Sequence, residues 1–180
     1  MEYREIAKKL ALELCLEFDP ELLVPQERIR ALCCQDKCGN YGKNYMCPPF
    51  VGSLGEIGAR LKGFKKGLLL RYSEAMEVRG NREGALNSMI NFHLRVLSME
   101  RRLEEMGVRR LWGLVGGTCG LCDVCKARSN EPCPYPNFAR MSLEAIAVDV
   151  MALLDKFGLD NRFHAGRITW TGCILFDEKG

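Results

Sequence analysis

Gly116–Pro136 reads GGTCGLCDVCKARSNEPCPYP, and the fate of its four cysteines decides how the chain is built. Cys119, Cys122 and Cys125 stand at C-x2-C-x2-C spacing, and Cys133 follows immediately before Pro134. A three-residue step lets successive thiolates on a tight loop converge on one small inorganic centre. Three chemistries compete for such a stretch. Iron–sulfur ligation suits a tandem triple closed by Cys-Pro. Four-cysteine zinc sites instead split into two C-x2-C pairs with a longer segment between them. Disulfides need a geometry that cysteines two residues apart seldom reach, and they need an oxidising compartment.

Bacterial ferredoxin runs use the same triple and the same terminal Cys-Pro, but with three residues in the last gap, where this chain has seven. A seven-residue gap still permits a return to the same centre. It equally permits Cys133 to reach a second one.

A second cysteine block lies upstream, CCQDKCGNYGKNYMCPPF, with Cys33, Cys34, Cys38 and Cys47. Gly39, Asn40, Gly42 and Asn44 make it a loop. Pro48 and Pro49 are expected to hold the chain extended after Cys47, fixing that ligand as Pro134 fixes Cys133.

The chain has 180 residues, 47% hydrophobic and 27% charged, which suits one globular domain with a real core. The chain has ten cysteines and an N-terminus, MEYREIAKKLALELC, that is charged throughout and has no signal-peptide core. No apolar run approaches membrane-spanning length. Metal ligation in the cytoplasm therefore accounts for the cysteines better than a disulfide framework. The formal charge of +3 counts cysteines as neutral, so it supports no argument for a basic protein. Neither a basic stripe nor an aromatic platform for nucleic acid stands out. There is no phosphate-binding or dinucleotide-binding glycine loop.

Periodicity predicts a helix over Glu2–Glu17, a short strand over Glu27–Cys34 and a helix over Glu56–Phe64. A buried strand is expected at Gly67–Tyr72. A long helix over Asn81–Met106 carries Leu86, Ile90, Leu94 and Leu97 as one stripe, widened by Met89, Val96, Met99 and Leu103. Its His93 reads as structural. Val108–Val115 is expected as a strand. Ser142 caps a helix that includes Glu144 in its first turn and ends at Gly158. Arg167–Phe176 closes the sheet, with Cys15 and Cys173 as core residues.

Taken together, both blocks resemble a family of predicted metal-binding proteins, domain of unknown function 2284. The matching residues are Cys34-Gln-Asp-Lys-Cys38-Gly-Asn-Tyr-Gly42, Cys47-Pro-Pro-Phe50, Gly116-Gly117-Thr-Cys119-Gly-Leu-Cys122-Asp-Val-Cys125 and Cys133-x2-Pro136. Arg140-Met-Ser142-x-Glu144-Ala145 and Asp149-Val150 continue the likeness, from about Arg28 to the C-terminus. It implies a small cytosolic metalloprotein of anaerobic prokaryotes. It also implies seven ligands, Cys34, Cys38, Cys47, Cys119, Cys122, Cys125 and Cys133, and leaves Cys33 outside the set. Two thiolate-bound four-iron clusters need eight ligands, so Cys33 supplies the eighth or one iron stays open.

The expected protein is a single α/β domain over residues 1–180, a small mixed sheet flanked by helices, with two cysteine-rich metal-binding loops at one end. Its expected function is electron transfer through two [4Fe–4S] clusters to a redox partner protein. One alternative is an enzyme using an open iron as Lewis acid on a small-molecule substrate, served by Asp36, Lys37, Tyr41, Lys43 and Tyr45. The other is a zinc-stabilised interaction module. Neither a nucleic acid nor a membrane is expected as a partner.

Overall fold

The architecture comes from a computed structural model that describes residues 2–177. The α/β expectation holds. Four strands, β1 (Leu14–Phe18), β2 (Lys66–Ala75), β3 (Trp112–Leu114) and β4 (Arg167–Phe176), lie in the order β1-β2-β4-β3. All three pairings are antiparallel, and one parallel bridge, Val115 to Ser142, continues from the β3 end. Five helices accompany them: α1 (Glu2–Lys9), α2 (Glu27–Cys34), α3 (Leu54–Leu61), α4 (Arg82–Glu105) and α5 (Val150–Lys156).

Two cores, one on each face, explain the unbroken apolar runs in β2 and β4. Leu69, Cys173 and Leu175 face the side covered by Ile57 and Leu61 of α3 and Leu153 and Leu154 of α5. Leu68, Leu70, Ile174 and Phe176 face Ala7 of α1 and Phe92, Val96, Met99 and Leu103 of α4. Side chains alternate along a strand, so a strand covered on both faces needs apolar residues at every position. Cys173 is wholly enclosed, as expected, and burial pushes its thiol pKa far up.

Several elements differ from the sequence reading for physical reasons. The N-terminal helix stops at Lys9, Ala11 takes a left-handed turn (φ 53), and Leu14–Phe18 pairs as an edge strand with Gly67–Arg71. Sheet pairing overrides the i, i+4 series there. Cys15 is in the core, but from a strand. Glu27–Cys34 is a helix, in keeping with its Glu, Arg, Leu and Ala content. The α4 helix matches its expected range and is capped by Asn81, whose side chain accepts from Gly84 N. Its buried face, however, runs through Met89, Phe92, Val96, Met99 and Leu103, leaving Leu86 and Leu94 about half exposed. The β3 strand is only three residues long.

Ser142 caps a single turn rather than a helix. Its Oγ accepts from Ala145 N at 3.0 Å, and Ala147 then turns left-handed (φ 65). Backbone bonds from Gln26 N to Ala147 O and from Leu143 N to Val115 O draw this segment away from helical continuation. The helix proper starts at Val150, with Asp149 Oδ1 accepting from Ala152 N.

Gly172 marks the tightest point of the sheet. A Cβ there would stand 2.4 Å from Leu114 O and 3.0 Å from the Phe92 ring. Gly172→Ala is expected to lower unfolding stability by about 1–3 kcal/mol through overpacking. Urea denaturation of the variant beside the parent measures it; an unchanged midpoint would contradict this account of the packing.

Candidate metal centre

All ten cysteines are free thiols. Eight of them belong to the two cysteine blocks, Cys33 and Cys34 at the end of α2 and the rest in loops, which the fold brings to one place. Gly116 and Gly117 carry the chain from the β3 end into the second block. They run close against β4: a Cβ on Gly116 would lie 2.8 Å from Thr171 O, and Gly117 is left-handed (φ 83) beside Met89 and Trp170. Only glycine fits both demands at Gly117.

Beyond this point Cys119, Cys122, Cys125 and Cys133 all line one cavity of about 400 Å3. The Cys119 thiol pKa is raised by burial first and by Cys133 and Cys125 after it, while the backbone N–H groups of Leu121 and Arg140 lower it. Burial likewise leads for Cys122, followed by Cys125 and Cys133. The four thiols are thus electrostatic neighbours. The seven-residue gap is bridged by a short 3-10 helix at Lys126–Ser129 and a left-handed Asn130, which let Cys133 return to the triple.

In the first block the chain turns at the two prolines instead of running extended. Pro48-Pro49 is a cis peptide bond, and Phe50 N donates to Cys47 O, closing a tight turn around them. Cys47 is buried, its thiol pushed up to about 11 by burial, with a hydrogen bond to Thr118 acting the other way. Cys33, Cys38 and Cys47 line a second cavity of about 290 Å3 together with Glu144. Cys34 does not line it. Successive residues on a helix project about 100° apart, and on the last turn of α2 this separates the pair. Cys33 faces inward, its Sγ 3.8 Å from Glu144 O, and Cys34 is exposed beside the Tyr41 hydroxyl. The resemblance assigns Cys34 to the ligand set, while the fold brings Cys33 to Cys38 and Cys47.

The two thiol groups meet at Thr118. Its Oγ1 lies 3.3 Å from Cys47 Sγ, and the next residue is Cys119. Asn44, 4% exposed, stitches the blocks together. Its Nδ2 donates to Thr118 Oγ1 (3.1 Å) and Cys119 O (3.0 Å), and its Oδ1 accepts from Met46 N (3.0 Å). Tyr45 Oη donates to Glu131 O at 2.7 Å and Arg128 to Gly39 O at 3.4 Å. In sequence, Asn44 reads as a turn former, which it is, and Tyr45 as a proton-transfer candidate; in the fold both also tie the loops. Lys43 and Asp36 are paired with each other within their own loop.

Two further residues have surroundings that the sequence does not disclose. Glu144 is not a helix-dipole residue: one carboxylate oxygen, Oε2, is shielded from solvent without a hydrogen-bond partner, and burial raises its pKa. Glu100, buried on α4, accepts from Gly113 N (2.8 Å) and from Arg140 Nε (2.9 Å), fixing the chain just after the second block. His93 serves the same region structurally, its Nε2 2.8 Å from Phe138 O.

Clustered soft thiols fit an iron–sulfur cluster or zinc by donor chemistry. Among the described residues, no group of three or more His, Cys, Asp or Glu side chains is arranged so as to hold a metal ion as it stands. A family model described as "Predicted metal-binding protein (DUF2284)" matches residues 17–176. No curated protein and no solved structure matches the chain.

Asn44→Asp keeps the acceptor for Met46 but removes both donors that cross between the blocks. It is expected to cost about 1–3 kcal/mol for each buried group left unpaired. It should also open both loops to limited proteolysis. Cleavage rates equal to those of the parent would remove the role given to Asn44.

Proposed function

The chain belongs to the DUF2284 family of predicted metal-binding proteins, and from that premise we propose that it transfers electrons through two iron–sulfur centres. The supporting observation is the junction at Thr118, which contacts Cys47 and directly precedes Cys119. It sets two thiol groups side by side, four in one cavity and three in the next.

Cys119, Cys122, Cys125 and Cys133 hold the first centre in this reading. Cys38, Cys47 and Cys33 hold the second, with Cys34 one residue outside it. Iron–sulfur clusters supply one-electron transfer, at potentials set by charge, hydrogen bonds to sulfur and solvent exposure. The protein's own residues provide those settings. The N–H groups of Leu121 and Arg140 act on Cys119, and Thr118 acts on Cys47. Burial keeps Cys47, Cys119 and Cys33 protonated in the metal-free chain, so loading releases protons. Leu86, Val124 and Tyr135 are exposed around the first cavity and form the face offered to a redox partner protein. Ten free thiols suit the reducing cytoplasm. Among the described residues, no helix is long and apolar enough to cross a membrane.

Protein prepared without oxygen is expected to be brown, with iron and acid-labile sulfide in comparable amounts. Colourless protein with stoichiometric zinc would sink this reading. A second comparison sets Cys33→Ser against Cys34→Ser, each prepared the same way and assayed for iron. Cys33→Ser is expected to lose the metal of the second centre and Cys34→Ser to keep it. The reverse result would return the ligand role to Cys34, and loss in both would give that centre four thiolates.

A further inference from the structure

The cavity holding Cys33, Cys38 and Cys47 does not end at those residues. Cys33, Cys38, Gly117 and Glu144 also line a larger cavity of about 710 Å3, on the sheet face covered by α5. Its size is that of a small-molecule site. The sheet contributes Arg71, Thr169 and Thr171, and apolar side chains, among them Ile29, Met151 and Leu154, form much of the wall. Phe163, 96% exposed, stands at its rim.

Arg71 is the unusual member. It is 7% exposed, within the buried run 67–72 of β2. Its Nε is buried without a hydrogen-bond partner. The carboxylate of Glu13 comes within 3.5 Å but makes no hydrogen bond to it, and that side chain is 40% exposed. Of the other carboxylates lining the cavity, Glu144 lies at the Cys33 end with one oxygen unpartnered, and the two aspartates are engaged. Asp160 pairs with Arg162, His164 and Arg167, and Asp149 pairs with Arg28 while capping α5. A buried guanidinium with an unmet donor is costly. An organic carboxylate, which a guanidinium binds through charge-assisted hydrogen bonds, supplies what is missing.

We propose that this cavity is the binding site for a small organic carboxylate with an apolar body. Its carboxylate pairs with Arg71, and its body lies between α5 and the sheet, leading toward Cys33 and Cys38. The proposal rests on the preceding reading only in making those cysteines a metal centre. It places the bound acid next to the second thiol group, with which the cavity shares Cys33 and Cys38.

The test is calorimetric titration, without oxygen, of protein whose iron and sulfide have been measured. The probes are 4-phenylbutyrate, octanoate and the neutral 4-phenylbutyramide. Saturable one-to-one binding of the acids is expected, with the amide at least about tenfold weaker. Arg71→Met should weaken the acids at least about tenfold and leave the amide unchanged. Met151→Trp, at a partly exposed wall position, should weaken acid and amide by the same factor, and it keeps the test decisive where Arg71→Met fails to fold. The proposal is overturned by acid binding that ignores both substitutions, or by no binding up to about 10 mM, far weaker than a useful site. Brown protein that binds no acid would remove the cavity and leave the clusters. Colourless protein with Arg71-dependent binding would do the opposite.

Discussion

Strand β4 carries the structure. It pairs along its whole length with β2 and also with β3, so its backbone joins the two halves of the sheet. Its side chains enter both cores in alternation. The second cysteine block leaves the sheet at Gly116, against Thr171 of this strand, and the large cavity takes Thr169 and Thr171 as part of its floor. Loss of order in β4 would therefore reach the core, the cysteine loops and the cavity together. This concentration explains the intolerance at Gly172, where a neighbouring carbonyl and an aromatic ring occupy the space a side chain would need.

The cysteine loops depend on a different kind of bond. They have few apolar residues to bury, and their helical content is slight. Polar ties hold them instead: Asn44 between the blocks, Tyr45 and Arg128 across their outer edges, and the Glu100–Arg140 pair behind the second. Such ties orient the thiols without closing a coordination sphere around them, which is the condition in which ligation can contribute to order as well as function.

Much of this was legible in the sequence. The Cys119–Cys133 block, the β2 and β4 strands and the range of α4 followed from spacing and apolar runs. The face of α4 was harder, because a leucine series outweighed the less regular Met89, Phe92 and Val96 set that meets the sheet. The short strand β1 was hidden inside a helical period, and the turn after Ser142 inside another. In both, pairing with distant backbone decided the outcome, and no local pattern encodes that. The inward turn of Cys33 required knowing that α2 is a helix. Arg71 gave no signal beyond its charge, and Glu144 only its place in the family-like stretch and a helix-dipole reading: what both share is being enclosed, which only the fold determines.

The order of these elements along the chain has a consequence for biosynthesis. Both cysteine blocks precede β4, so they emerge from the ribosome before the strand that anchors them exists. During that interval the sheet lacks its central member, and eight thiols stand on segments with no settled partner. Thiolates favour zinc over ferrous iron, so a metal met in that interval would be chosen without the geometry of the folded chain. Order in the sheet must come first if the folded geometry is to choose what the thiols bind. Faithful loading is thereby a matter of timing as much as of ligand geometry.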